Sequence, residues 1–579
     1  MTSKVAIANA APAPVAEVAD VLQSVSLSAH RAPPVTHHSP MQLARLAYTP
    51  RISPLLRTPR AVTFTSGEPT TASYDVEVIH SQFPHLFGQP ALHFQPSDPL
   101  STPPKKNIAV VLSGGPAPGG HNVISGMYDF VKELNPESNM IGFLSGPDGI
   151  LKNKHLILTD EIVGPHRNQG GFHMIGSGRT KIETEDQFAA ARATAKALDL
   201  DALLVIGGDD SNSNAMKLAE DFKAHGLKCA VNGAPKTIDN DLRNAQVEVS
   251  FGFDTASKSY AQSTASLAFD AVSAGKAYHF VRVMGRSASH IALECALQVH
   301  PNLCFIGEEV KQNNITLADI VNQIADLVCE RAALGKNYGI IVIPEGLVEF
   351  MPDVEALIVD LNEILATSET PLTYDNCASA LTEENAKLFR MLPPAIANQL
   401  MLERDPHGNV QVAKIEAERL LISIVTTMLA VRKKNGKFDG KFSGVPHYLG
   451  YEARCALPSN FDANYTYGLG RVAAALCCNE KTGYIATLSG LTKKPEEWIP
   501  AGYPLTMMMN IERRHGKDVA VIKKMLVDLD GSPFTTFAES RDSWRLADNY
   551  RTPGTTQFWG PRADDVNLSL ALDAEGKTN

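Results

Sequence analysis

Two neighbouring carboxylates, Asp209 and Asp210, sit in the stretch Asp201 to Ala215, DALLVIGGDDSNSNA. Adjacent like charges repel, so the pair calls for a cation close by. Mg²⁺ suits it, because that ion takes a carboxylate or two and fills its remaining positions with water and phosphate oxygens. A solvated loop or helix cap is the plainer alternative, since Asp and Ser are common at helix starts. A second group lies in Ala234 to Leu242, APKTIDNDL. There Lys236 offers a point charge to a phosphate that gains negative charge, and Asp239 or Asp241 suits a proton acceptor within hydrogen-bond reach of a hydroxyl. An Asx-type turn closed by its own Asp side chains is the structural alternative.

The elements that must hold these groups can be read from what precedes them. Leu203 to Ile206 is an apolar run that reads as a strand buried on both faces, Gly207 and Gly208 turn the chain sharply, and a helix is expected from near Ser211. Asn107 to Gly120, NIAVVLSGGPAPGG, repeats the pattern, with helical spacing from His121 to Lys132. Backbone amides of such a loop favour an anion, although neither the GK[ST] ending nor GxGxxG is present. Lys276 to Ser287, KAYHFVRVMGRS, places a strand before Met284, Gly285 and Arg286, and Arg286 could clamp a phosphate or make a surface ion pair. Tyr338 to Gly346, YGIIVIPEG, ends on Glu345, and GYEAR supplies Tyr451 and Arg454. Met140 to Leu144 and Leu227 to Asn232 read as further strands with helical patterns between, which argues for a doubly wound α/β sheet whose ligands bind at the carboxyl ends of the strands.

A chain of 579 residues exceeds one core, so two or more lobes are expected. A net charge of −10 and a pI near 6.0 argue against nucleic acid as a partner. No apolar run is long enough to span a membrane. The eight cysteines lack CxxC or zinc spacing, so a reduced, cytoplasmic compartment is the default. Residues 1–38 read as a mobile tail and 39–104, punctuated by Pro, as an irregular wrap. Val354 to Leu429 has helical spacing broken at Pro393 and Pro394, Asn435 to Gly440 reads as a turn or hairpin, and the polar tail after Ala563 is expected to fray.

Five stretches, LSGG, GGDDS, PKTIDND, MGR and PEG, with GYEAR as a sixth, stand in the order found in the phosphofructokinase family, which the chain resembles from about Ser39 onward. The N-terminal SPMQLARLAYTP and FPHLFGQP segments and the helical insert are similar to the long, pyrophosphate-dependent branch. The resemblance implies two Rossmann-like lobes with doubly wound, mostly parallel sheets. It sets a phosphate-donor lobe at 105–275, a fructose 6-phosphate lobe at 276–460 with a helical insert at about 350–440, and a C-terminal return at 461–579. It further implies reversible phosphoryl transfer from pyrophosphate to the 1-hydroxyl of fructose 6-phosphate.

By the same resemblance Gly114 and Gly115 hold pyrophosphate, Asp209 holds Mg²⁺, Asp239 accepts the proton and Asp241 supports it. Thr237, Ile238, Met284, Gly285, Arg286, Glu345, Tyr451 and Arg454 bind the sugar phosphate. Lys276 stands where the family reaches across a subunit interface, which implies at least a homodimer. ATP-using relatives typically carry Gly in place of Asp210 and Lys236. By that comparison a carboxylate at 210 would fill the space of a nucleotide α-phosphate with like charge, and Lys236 would stabilise the transferred group instead. The alternatives are an ATP-dependent enzyme, a non-catalytic regulatory subunit, and a nucleotide-binding module without chemistry, which would leave the sugar-side stretches unexplained.

Overall fold

A computed structural model describes residues 44–99, 103–367, 373–401, 414–514, 517–554 and 566–576. Two units are distinguished, 1–48 and 49–579. In the first, the described residues form a helical turn at 44–46. The proposed mobile tail, 1–38, lies outside the described residues.

The second unit is built on two sheets. The larger takes β1 (Val62–Pro69), β2 (Pro90–Pro96), β3 (Asn107–Leu112), β4 (Asn139–Phe143), β5 (His155–Ile157), β6 (Ala202–Gly207) and β7 (Ala230–Pro235). The smaller takes β8 (Ala277–Val283), β9 (Leu303–Cys304), β10 (Tyr338–Pro344) and β11 (Gly444–Leu449). The chain then returns to the larger sheet with β12 (Tyr484–Ser489) and β13 (Ile499–Pro504), and adds a separate hairpin of β14 (Met509–Arg514) and β15 (Lys517–Ile522).

The strand order of the larger sheet is β1-β2-β13-β12-β7-β6-β3-β4-β5. Its centre, from β12 to β4, is parallel and its margins are antiparallel. The smaller sheet, β11-β8-β10-β9, is parallel throughout. Burial follows from composition: every residue of β6 is buried, with Leu204 and Ile206 in one apolar cluster and Leu203 and Val205 in another on the opposite face. That two-sided burial is what a strand without polar alternation requires.

Residues 350–440 hold helices at Pro352–Thr367, Tyr374–Ala380, Glu383–Met391, Pro394–Leu400 and Ala417–Lys434. The break expected at Pro393 and Pro394 is a helix start, because proline at the first position loses no helical bond. Asn435 to Gly440 is a turn and not a hairpin, since β11 beyond it pairs in parallel with β8.

Two local expectations differ from the structure. The stretch read as an irregular wrap carries β1 and β2, which pair through β13 with the larger sheet; Pro69, Pro90 and Pro96 sit at the strand ends. Within the tail beyond Ala563, expected to fray, Leu568–Gly576 is a helix. Glu294, fully buried, accepts the amides of Leu568 and Ser569, both at 2.8 Å. A carboxylate at a helix N-terminus satisfies donors that the helix itself cannot.

Candidate active site

Residues that follow β3, β6, β7, β8, β10 and β11 line one cleft of about 360 Å³. The carboxyl ends of strands in both sheets therefore converge, and the polar groups singled out in the sequence converge with them.

On the larger sheet, the helix Asp209–Ala224 starts directly after Gly208, two residues before the expected Ser211. Asp209 and Asp210 occupy its first turn, where the partial positive charge of the helix end favours carboxylates. Ser211 donates to Ser113 Oγ at 2.8 Å and ties this turn to the loop after β3. Asp209 Oδ2 is buried with no hydrogen-bond partner, and Lys524 Nζ lies 3.7 Å from it, beyond hydrogen-bond reach. Lys181 Nζ stands 3.6 Å from Asp210 Oδ1.

An orphaned, buried carboxylate oxygen beside a polar cleft fits a divalent cation that shares its coordination with phosphate oxygens and water. Among the described residues no group of three His, Cys, Asp or Glu side chains forms a cage for a metal. A cation at Asp209 would complete its coordination with substrate and solvent oxygens.

One amide of the loop after β3, where an anion cradle is expected, is already engaged. Gly114 adopts φ +87° and its N–H is spent on Gly178 O at 2.8 Å. What the loop offers is room. A methyl on Gly114 would come within 3.2 Å of Lys236 Nζ, and one on Gly115 would overlap the Arg454 guanidinium. Lys236 is buried, and burial together with the nearby Arg454 and Arg179 cations lowers its pKa to about 8.

In the turn after β7, Thr237 Oγ1 accepts the Asp239 amide at 3.1 Å, and Asn240, at φ +57°, accepts the Ser250 amide at 3.1 Å. Thr237 and Asn240 thus brace the turn, while Asp239 and Asp241 line the cleft. Asp239 is half-buried and reachable. Asp241 is buried, and burial with the neighbouring Asp209 and Asp239 charges pushes its carboxyl up to about 7.

The smaller sheet supplies Met284, Arg286, Glu345, Tyr451 and Arg454 to the same cleft. Glu345, raised above the usual carboxylate range by burial, accepts from Gly285 N at 3.2 Å and from the Tyr448 hydroxyl at 2.7 Å. Arg454 donates to Pro116 O at 3.4 Å across the junction of the two sheets. Tyr451 is 64 % exposed at the mouth.

Of the expected residues, Lys276 stands apart: it is exposed and precedes β8, at the end of that strand away from Met284. Sequence reading missed Arg179, Lys181 and Lys524, all of which line the cleft. Arg179 and Lys181 carried a usable signal, the glycine-flanked polar stretch GSGRTK. Lys524, just beyond β15, carried none.

A model described as phosphofructokinase matches residues 107–386. A pyrophosphate–fructose 6-phosphate 1-phosphotransferase subunit beta 1 of Arabidopsis thaliana is 51% identical over 537 residues, covering 93% of this chain and 94% of the relative. A pyrophosphate–fructose 6-phosphate 1-phosphotransferase of Treponema pallidum (strain Nichols) is 47% identical over 553 residues, covering 92% and 96%. Among solved structures, a pyrophosphate-dependent phosphofructokinase from Nitrosospira multiformis superposes with a TM-score of 0.51 at 17% identity, over 77% of this chain and 93% of that one. That last likeness concerns the fold.

Proposed function

The chain belongs to the phosphofructokinase family, and from that premise we propose that it moves a phosphoryl group reversibly between pyrophosphate and the 1-hydroxyl of fructose 6-phosphate. The observation that carries this reading is the meeting of Asp209, Asp210, Lys236 and Asp239 with Arg286, Glu345 and Arg454 in a single cleft.

Phosphoryl transfer asks little covalent help of a protein, so alignment and charge placement decide the rate. Lys236, flanked by Arg179 and Arg454, meets the donor phosphates and stabilises charge as it builds on the transferred group. Asp239 takes the hydroxyl proton and returns it in the reverse direction. Its neighbour Asp241, partly protonated near neutrality, supports that site without crowding it with a further full charge. Glu345, braced by Tyr448 and the Gly285 amide, accepts from sugar hydroxyls, while Arg286, Met284, Tyr451 and Arg454 hold the sugar phosphate. Asp209 would hold Mg²⁺, which when bound neutralises donor oxygens.

Donor choice rests on Asp210. Its carboxylate, beside Lys181, presents negative charge where a nucleotide would place its α-phosphate. Gly114 and Gly115 keep the donor side open to pyrophosphate. Lys276, exposed at the far end of β8, is read as serving a neighbouring copy in a homo-oligomer, and the compartment as cytoplasmic. Among the described residues no helix is long and apolar enough to cross a membrane.

The test is donor competition. The purified chain with fructose 6-phosphate and Mg²⁺ is expected to turn over pyrophosphate and not ATP, and to stop when the cation is chelated. Preference for ATP would overturn the donor assignment, and absence of any turnover by the homomer would favour a regulatory chain.

A further inference from the structure

The segment after β15 enters the cleft from the C-terminal part of the chain, and it is pinned on every side. Ile522 N donates to Ser213 Oγ at 2.8 Å, on the helix that carries Asp209. Met525 N donates to Asp241 O at 2.8 Å, in the turn after β7. Met525 O pairs with His290 Nε2 at 3.0 Å, and Val527 N donates to Glu308 Oε1 at 2.9 Å, both on the side of the smaller sheet. Lys524 lies between these anchors, so its backbone has little freedom to wander.

Its side chain bridges the two walls of the cleft. Lys524 Nζ is 3.7 Å from Asp209 Oδ2 and donates to Ser287 Oγ, just after Arg286, at 3.2 Å. The ammonium faces a carboxylate oxygen of the cleft, Asp209 Oδ2, that is buried without a hydrogen-bond partner. A charge that close balances Asp209 while the cleft is empty, and repels a second cation arriving at the same oxygen.

We propose that Lys524 is a donor-binding residue of this cleft. It is the counter-charge of Asp209 in the empty enzyme, and it passes to a pyrophosphate oxygen when a divalent cation takes Asp209. The inference rests on the reading of the cleft as a pyrophosphate site. It assigns to a residue far along the chain a share in loading donor and cation together: the bare cation competes with the ammonium, whereas the cation with pyrophosphate gives the ammonium a new partner.

The test compares the full-length protein with Lys524→Met and Lys524→Arg. Mn²⁺ binding without pyrophosphate is read by electron paramagnetic resonance, and Mn²⁺-pyrophosphate binding by calorimetry. Removing the ammonium is expected to tighten bare Mn²⁺ and to weaken Mn²⁺-pyrophosphate about tenfold, the loss of one charge-assisted hydrogen bond. Lys524→Arg should restore much of the second quantity, which a purely structural role for the lysine would not require. Unchanged binding of Mn²⁺-pyrophosphate in Lys524→Met would overturn the proposal, as would weakening of bare Mn²⁺ and the pyrophosphate complex together. If Lys524→Met fails to fold, the arginine variant still decides: full loss of Mn²⁺-pyrophosphate binding in a folded Lys524→Arg counts against the assignment. Wild-type turnover assayed alongside separates the two readings, since an inactive wild type defeats the proposed reaction while the binding arms still judge Lys524.

Discussion

The Tyr448 hydroxyl donates to Glu345 Oε1 at 2.7 Å, and the two residues come from the neighbourhood of different strands, β11 and β10. The tyrosine ring also lies under Arg282, whose guanidinium carbon is 3.8 Å from the ring centroid. Arg282 is itself bound to Glu418 at 2.6 Å, on the last helix of the insert. The insert thereby reaches the sugar side of the cleft through a chain of three contacts. Tyr448→Phe keeps the ring and removes the hydrogen bond, leaving Glu345 held by the Gly285 amide and by Arg282, whose guanidinium lies 3.8 Å from Oε1. The expected result is a KM for fructose 6-phosphate raised about tenfold, with kcat changed far less, as for the loss of one hydrogen bond to a charged group. Steady-state kinetics at saturating pyrophosphate measure it.

Donor choice should move with two side chains. On the proposed reading, Asp210→Gly with Lys236→Gly removes the charge set against a nucleotide α-phosphate and the ammonium that replaces nucleotide contacts. Turnover with pyrophosphate is expected to fall by roughly 10²–10³, the usual effect of deleting one group that stabilises transition-state charge, and turnover with ATP to become measurable. An unchanged donor ratio would refute the role given to Asp210.

If Lys236 meets the donor as proposed, the basic limb of the pH profile is expected to report it. Its pKa is lowered to about 8, first by burial and then by Arg454 and Arg179. The charged form, which the donor needs, is complete well below pH 8 and is lost above it. kcat/KM for pyrophosphate should therefore fall as pH rises through about 8. Lys236→Arg stays charged throughout and should remove that limb, whatever its absolute rate.

Asp241 contributes to stability with the opposite sign to an ordinary paired carboxylate. Its folded pKa, about 7, lies above the ordinary aspartate value of 3.8, because burial and the charges of Asp209 and Asp239 disfavour ionisation. The folded chain binds the extra proton between those two values, so this contribution is complete below pH 3.8 and is lost as pH rises through 7. Asp241→Asn, neutral at every pH, is expected to raise Tm by roughly 2–4 °C more at pH 8 than at pH 5, as read by calorimetry.

Gly115 tests how closely the two sheets are fitted. A methyl there would occupy the place of the Arg454 guanidinium. Gly115→Ala should displace Arg454 and raise KM for fructose 6-phosphate by about tenfold or more, with Tm almost unchanged because the site borders the open cleft. A lowered Tm with unaltered KM would show that Arg454 yields without cost.

The amino-acid sequence alone determined the repeated unit of apolar strand, tight turn and polar residues, and with it the positions of Asp209, Lys236, Asp239, Arg286 and Glu345. These are legible because a buried parallel strand, a glycine turn and a helix start are each set within a few residues. The helical insert was legible for the same reason. Only the tertiary structure decided that Lys524 stands beside Asp209 and Lys181 beside Asp210, since electrostatic attraction depends on separation in space and a chain of ordinary lysines carries no mark of it. It also decided that the Gly114 amide is spent inside the protein, that β1 and β2 extend the larger sheet, and that the C-terminal helix is held by buried Glu294. In each case the partner lies far along the chain, and a polar group turned from water is stabilised by about 1 kcal/mol by the bond it finds there.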